Sequence, residues 1–447
     1  MKMQYNLLKK DFYVFFVGVG GISMSALALF LAKTGFKVGG YDANLSSITE
    51  NLEREGVEIN NSLSITKCDL AVVSSAISSN DSVIVALKAL KKPIITRARL
   101  LYEIASSYPM VIGVAGTHGK TTATAMIAHV LKYAGKEFCA HIGGIDKTLS
   151  NMTICGDEIF LSEVCEFKRN IAMFNAFIGV LLNIGDDHLD DYGTKEGLRD
   201  EFASFLNRSK IKILPFEERN LCEDGITFSL ENSSADYYAK NIEYIDNRAI
   251  ECFIMEKGRK LFSLELKSFF IHDVKNALAT VATCRSMGID EISIKKGLEG
   301  FLGIKRRNEI MGKLGNCLIY ADYAHHPEQI KNTIKMLELK YDNFAVFFQS
   351  HTYSRTANLF KDFISALSKV KNLFIFDTYG ARENYNYLGS GKRLSEELKG
   401  CVYCQDVKNA EPILKSIISR FECVAVLGAG NLYDEVEWML KKEKVTL

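Results

Sequence analysis

The stretch Gly116-Thr117-His118-Gly119-Lys120-Thr121-Thr122 constrains the fold more than any other feature, because the apolar run 111–115 precedes it directly. A buried strand feeding a glycine turn and then a helix leaves the first backbone N–H groups of the helix without partners. Those groups and the helix dipole together make an anion site. Gly116 and Gly119 let the main chain of Thr117, His118 and Thr122 approach a phosphate closely. Lys120 can neutralise β- and γ-phosphate oxygens, and Thr121 offers a hydroxyl to Mg²⁺. Val114 occupies the first glycine position of the longer GxxxxGK[ST] pattern. The alternative is a tight strand-to-helix turn with an incidental Gly-Lys-Thr. The strand before it argues instead for a nucleoside triphosphate site.

Such a unit belongs in a parallel sheet, and the chain is long enough for several. With 447 residues it has room for about three domains of roughly 150 residues. Strands expected at 12–17, 37–41, 70–74 and 94–95 alternate with helices over residues 1–106. A central block, 107–310, holds the loop, a helix from Lys120 to about 134, and strands at 159–162 and 178–183. It also holds a hairpin around Lys257-Gly258 and a helix over 274–287. A third block, 311–447, has strands expected at 317–321, 344–349, 373–376 and 423–427, with Pro327 in a first helical turn.

Residues 12–32 carry no charge and match a membrane span in length. Gly18, Gly20 and Gly21 split them into a strand and a helix, and Asp11 interrupts any leader-like start. A net charge of +1 gives no field for nucleic acid. The 11 cysteines are scattered, which suits a reducing cytoplasm. Cys401 and Cys404 form a lone CxxC, read as structural.

Carboxylates and imidazoles after the next strands extend the site. Glu163 and His188 are candidate Mg²⁺ ligands beside Thr121, since ligands gather at the strand ends on the loop's side of a parallel sheet. The Gly18-Val19-Gly20-Gly21 turn is a second anion site. By itself it leaves a dinucleotide open, with Asp42 on a ribose hydroxyl.

These residues belong to an ordered set. It runs from Gly18–Met24 and Val73–Ile77 through the loop to Glu163-Val164-Cys165-Glu166, Asn183-Ile184, Asp187-His188 and His272 with Asn276. It continues with Gly303–Arg307, Asp322–Pro327, Gln349–His351 with Arg355-Thr356, and Gly428–Asn431. The set resembles the Mur ligases of peptidoglycan synthesis, most closely their alanine-adding branch, over nearly the whole chain. The resemblance implies an α/β protein of three domains, each with a largely parallel sheet flanked by helices. These are a Rossmann-like UDP-sugar domain, a P-loop-type ATPase and a Rossmann-like C-terminal domain. It also implies a cytoplasmic, ATP- and Mg²⁺-dependent enzyme that joins L-alanine to UDP-N-acetylmuramate. Its partners would be these small molecules, not nucleic acid or a membrane, and it would act as a monomer or homodimer.

By that similarity Gly18, Gly20, Gly21, Asp42, Ser74 and Ser75 hold the sugar nucleotide. Asn276 reads adenine, Asp322 the ribose, and Arg306 approaches the γ-phosphate. Lys120, Glu163, His188, His351 and Arg355 are the expected catalytic set, with His351 a candidate base for the amine. Helix capping is the competing role for Ser74 and Ser75 and for His325 and His326. The chain departs from the family at Asp273 (commonly Asn), Asn308 (commonly aromatic) and Gly185 (commonly acidic). It has no evident counterpart of the carbamylated lysine of the sister ligases. Rival readings are a Mur-type ligase for another amino acid or a recycled peptide, an inactive UDP-sugar-binding paralogue, and a nicotinamide oxidoreductase.

Overall fold

The computed structural model describes residues 8–9, 11–43, 45–60, 65, 67–74, 77, 80–185, 189–245, 249–268, 270–381 and 383–443. It divides into two compact units, Met1–Leu302 and Gly303–Leu447.

The first unit carries two sheets. One comprises β1 (Tyr13–Val17), β2 (Lys37–Tyr41), β3 (Glu58–Asn60), β4 (Leu70–Val73) and β5 (Ile94–Thr96), all parallel, in the order β3-β2-β1-β4-β5. Strand order reverses beside β1, so the glycine turn that follows it opens at the switch point where open α/β sheets take ligands. All five residues of β1 are buried. The helix Ile22–Lys33 buries every residue from Met24 to Leu31. It lies between this sheet and the second one, where Asn151 Nδ2 donates to the Ile22 carbonyl (2.8 Å) and to Ser25 Oγ (2.9 Å). The uncharged stretch 12–32 is thus a core strand and a core helix, apolar all round because each is covered on every side. Among the described residues no helix is long and apolar enough to cross a membrane.

The second sheet has ten strands: β6 (Met110–Ala115), β7 (Phe138–Asp146), β8 (Ser150–Ile154), β9 (Ile159–Glu163), β10 (Ile178–Leu181), β11 (Ile211–Pro215), β12 (Ile226–Ser229), β13 (Tyr237–Ile245), β14 (Ala249–Glu256) and β15 (Arg259–Leu266). Their order is β15-β14-β13-β12-β11-β10-β6-β9-β7-β8. The middle is parallel. The β13-β14-β15 end and the β7-β8 edge are antiparallel, and Lys257-Gly258 forms the β14-β15 hairpin as expected. Strands β7 and β8 were not foreseen, because Gly143-Gly144 breaks the alternation on which strand recognition depends. The helix expected over 274–287 runs from Ile271 to Ser286. One apolar core, including Phe16, Phe30, Phe160, Phe202 and Phe205, runs from the first sheet into the second. Each such phenylalanine contributes roughly 2–3 kcal/mol of burial.

The second unit is built on β16 (Glu309–Leu314), β17 (Cys317–Asp322), β18 (Phe344–His351), β19 (Leu373–Tyr379), β20 (Val402–Cys404) and β21 (Cys423–Leu427), ordered β16-β17-β21-β18-β19-β20. Only the edge strand β16 is antiparallel. This unit begins at Gly303, whereas the sequence places the start of the third block at 311. The segment between is held by Glu309, whose Oε2 accepts from the Arg306 N–H (2.7 Å) and from Tyr433 Oη (2.9 Å).

Candidate active site

The phosphate loop leaves β6 at Gly116 and enters the helix Lys120–Tyr133, whose N-cap, Gly119, makes no side-chain cap. Gly119 has φ +84°, and a Cβ there would stand 2.5 Å from Asn276 Oδ1. Left-handed backbone and close packing both require glycine at this position. Buried Asn276 therefore lies against the loop itself, with Nδ2 3.4 Å from Asp273 Oδ1. The loop is also braced from the end of β10. Asn183 Oδ1 accepts from the His118 N–H (2.8 Å), Asn183 Nδ2 donates to the His118 carbonyl (2.9 Å), and the Gly185 N–H donates to Thr117 Oγ1 (2.7 Å). Thr122 follows on the helix. At 185 the main-chain N–H makes this bond, which glycine supplies as well as any residue.

Two carboxylates, Glu163 at the end of β9 and Glu166 just after it, divide the work. Lys120 Nζ lies 3.0 and 2.9 Å from the two oxygens of Glu166, which is 2% exposed, and also bonds the carbonyls of Gly116 and Thr117. The ammonium is thus folded onto its own loop. Thr121 Oγ1 donates to Glu163 Oε2 at 2.8 Å. A Cβ at Gly143 would sit 1.8 Å from Glu163 Oε1, so the glycine of β7 makes the room that this carboxylate occupies. Thr121 Oγ1 and Glu163 Oε2 form an adjacent pair of hard oxygen donors, the type Mg²⁺ takes. His188 lies outside the described residues. Sequence reasoning assigned no role to Glu166 or Asn183, although Glu163 and Glu166 are spaced to reach neighbouring groups beside one loop.

The first glycine turn is built differently. The helix after it, Ile22–Lys33, also starts without a side-chain cap, at Gly21. Asp42 is buried, and its Oδ2 accepts from the Gly20 N–H (2.9 Å). Gly18 N–H donates to the Tyr41 carbonyl (2.8 Å). Ser74 follows β4, and among the described residues the next helix, Ser82–Ala89, is capped by Asp81 rather than by Ser74. Ser75 lies outside the described residues.

In the second unit, β18 ends at His351, and the helix Tyr353–Asn358 carries Arg355. The His325 and His351 rings are 6.4 Å apart. A carbonyl only accepts, so His325 Nδ1–H donates to the Tyr323 carbonyl (2.9 Å) and its Nε2 keeps a lone pair. A guanidinium only donates, so His351 Nδ1, 3.5 Å from Arg355 Nη1, accepts and its Nε2 carries the proton. Burial, with Arg355 close by, pushes each imidazole down to about 4, so both are neutral near pH 7. His326, by contrast, is a helix cap, its Nδ1 accepting from the Glu328 N–H. Asp322 braces the loop after β17, accepting from the N–H groups of Asn308 and Ala324 (2.9 Å each). Arg306 stacks 4.5 Å over the Tyr433 ring, donates to the Gly430 carbonyl (3.2 Å) and pairs with Asp434.

Comparison with known proteins identifies the family. Three family models match in order: the Mur ligase family catalytic domain over 13–109, the Mur ligase middle domain over 114–284, and the Mur ligase glutamate ligase domain over 306–430. The UDP-N-acetylmuramate–L-alanine ligase of Acetivibrio thermocellus is 33% identical, with 97% of this chain and 96% of that one covered. That of Agathobacter rectalis is 34% identical, covering 97% and 98%. The crystal structure of UDP-N-acetylmuramate-alanine ligase from Thermotoga maritima superposes with a TM-score of 0.82 at 25% identity, over 97% of this chain and 99% of that one. On its sequence and its fold, the chain belongs to the Mur ligase family.

Proposed function

We propose that this chain is a cytoplasmic enzyme of peptidoglycan precursor synthesis. It uses ATP to join L-alanine to the lactyl carboxylate of UDP-N-acetylmuramate, giving UDP-N-acetylmuramoyl-L-alanine, ADP and phosphate. The observation that carries the reading is the loop with its two carboxylates, Lys120 on Glu166 and Thr121 on Glu163. The names of the full-length relatives supply the substrates.

A carboxylate is a poor acyl donor because oxide is a poor leaving group. Attack of the lactyl oxygen on the γ-phosphorus breaks the bond to ADP and makes an acyl phosphate. The alanine nitrogen then bonds the acyl carbon, and phosphate leaves. The first step brings two anions together, so positioned cations carry most of the catalysis. Lys120 is held by Glu166 and can turn its ammonium from the loop carbonyls onto β- and γ-oxygens. The uncapped N–H groups of its helix bind the phosphates. Thr121 and Glu163, with His188 as a further candidate, would hold Mg²⁺, which when bound neutralises phosphate charge. Asn276, packed on Gly119, is assigned to adenine, Asp322 to the ribose and Arg306 to the γ-phosphate. Gly18, Gly20 and Gly21 receive the UDP diphosphate, with Asp42 bracing their turn; Ser74, whose N–H donates to the Val17 carbonyl (3.4 Å), and Ser75 are assigned to the same sugar nucleotide.

The amine must lose a proton to react. His325 Nε2 has the free lone pair, and His351 Nε2 has the proton, so His325 suits the base and His351 the donor to a developing anion. Arg355 adds charge for a carboxylate or acyl phosphate. An arriving anion raises both imidazoles from about 4 towards the working pH, where proton transfer is efficient. Phosphate release from ATP should require both UDP-N-acetylmuramate and L-alanine, and glycine or L-serine should support it less well. Release that ignores either substrate would refute the reading.

A further inference from the structure

The reaction requires the sugar nucleotide and the γ-phosphate to be held in fixed register, yet the two glycine turns lie on different sheets. One continuous side-chain chain joins them. Arg97 Nη1 donates to Ser23 Oγ (3.0 Å), and Ser23 Oγ lies 2.8 Å from His141 Nε2. His141 Nδ1 lies 3.0 Å from Ser162 Oγ, which donates to the Glu163 carbonyl (2.8 Å). Ser23 stands in the first turn of the helix that follows Gly21, and Ser162 precedes the Glu163 that Thr121 contacts.

The directions are determined by counting protons. Ser162 has one hydroxyl proton and gives it to the Glu163 carbonyl, so it accepts from His141 Nδ1–H. The ring is then a neutral Nδ1–H tautomer whose Nε2 accepts from Ser23 O–H, and Ser23 accepts from Arg97. Every member is satisfied in one direction only. With Nε2 protonated, in the alternative tautomer or an imidazolium, the Ser23 hydroxyl proton would have no acceptor among these groups, because Arg97 only donates. Burial and the nearby Arg97 hold the ring neutral, pushing it down to about 3. A satisfied network of this kind, buried at His141 and Ser162 and half-buried at Ser23 and Arg97, fixes geometry in a way apolar contact does not.

We propose that His141 is a positioning residue, the link that sets the register of the Gly18–Gly21 turn relative to the Glu163 carboxylate. Neither His141 nor Ser23 touches a reacting atom in this assignment. The inference rests on the function proposed above, because it needs the first turn to hold the sugar nucleotide and the second the ATP.

The test compares Ser23→Ala, His141→Leu, His141→Gln and the Ser23→Ala/His141→Leu double variant with the wild type. Phosphate release is measured at saturating substrates, and calorimetric affinities for ADP with Mg²⁺ and for UDP-N-acetylmuramate are measured without turnover. A misplacement near 1 Å costs up to about a hundredfold, so His141→Leu should lose at least about tenfold in kcat. Its ADP affinity should stay within about twofold. Glutamine offers one donor and one acceptor at similar reach and should recover part of the loss. Ser23→Ala should add little to His141→Leu, because both cut the same chain. Unchanged kcat in both Ser23→Ala and His141→Leu, or fully multiplicative losses, would overturn the proposal. So would a parallel collapse of both affinities and the melting temperature in both single variants. If the wild type fails to bind UDP-N-acetylmuramate, the functional reading fails instead, a separate result.

Discussion

The two glycine turns share a strand–turn–helix plan, although the residue before the helix is extended at Gly21 and left-handed at Gly119, and they differ in the side chains around it. Each follows the strand beside which order reverses or neighbours diverge, β1 or β6, and each opens a helix whose first N–H groups have no side-chain cap. Four other helices of the same unit are capped, by Asp81, Thr96, Thr194 and Asp290, and the uncapped helix Ile271–Ser286 follows Phe270 rather than a glycine turn. The backbone alone therefore makes two anion sites. Around the second are Lys120, Thr121, Glu163 and Glu166, which can neutralise charge as it moves. Around the first is Asp42, whose carboxylate takes the Gly20 N–H and stiffens the turn. A diphosphate that does not react needs only binding. A triphosphate that does react needs mobile positive charge and a metal carboxylate. Under the proposed function, the same fold device becomes a binding site or a reaction site according to the residues that end the neighbouring strands.

Replacement of Lys120 by Met should separate the two turns most sharply. Loss of the ammonium removes transition-state charge stabilisation and leaves Glu166 buried without its cation. A fall in kcat of about a thousandfold is expected, with calorimetric affinity for UDP-N-acetylmuramate within about twofold of wild type. If that affinity falls in proportion to kcat, the turns are not independent binding devices and the comparison breaks. Asp42→Ala should give the reverse pattern on a smaller scale. The Gly20 N–H loses a charged acceptor, an interaction of about 1.5–3 kcal/mol, and the first turn loosens. The KM for UDP-N-acetylmuramate should rise about tenfold with little change in the KM for ATP. A matched rise in both would assign Asp42 to the fold of the whole unit rather than to its own turn.

The contrast also marks what could be read from residues alone. Strand, glycine turn and helix were legible at both sites, because local chain stiffness and apolar runs encode them. Lys120, Thr121 and Glu163 were legible as types suited to phosphate and metal. The roles of Glu166, Asn183 and His141 were not, because each is defined by a partner 46, 65 or 118 residues away in sequence. Gly143 was hidden for the same reason, since its lack of a side chain matters only where Glu163 crosses it. The roles of His325 and His326 could not be separated by sequence. Adjacent histidines look alike until one is seen to cap a helix and the other to turn towards His351.

The last expected effect is on stability and concerns the ring between the two turns. In the unfolded chain His141 takes a proton near the ordinary value of 6.5, whereas in the folded chain it does not until about 3. Between those values the unfolded state binds one more proton, so stability rises with pH and is lost as the pH falls. Arg97, the charged group acting on the ring, opposes protonation in the same direction. From pH 6.5 to pH 5 the loss assigned to this ring is about 2 kcal/mol. His325 and His351 titrate in the same window in the second unit, so total stability does not isolate it. The difference between wild type and His141→Gln does, because glutamine does not titrate. Unfolding midpoints in denaturant at pH 7 and pH 5 should converge for the two proteins as the pH falls. A constant gap would mean that the ring is not held neutral, and the one-way hydrogen-bond chain between the turns would lose its direction.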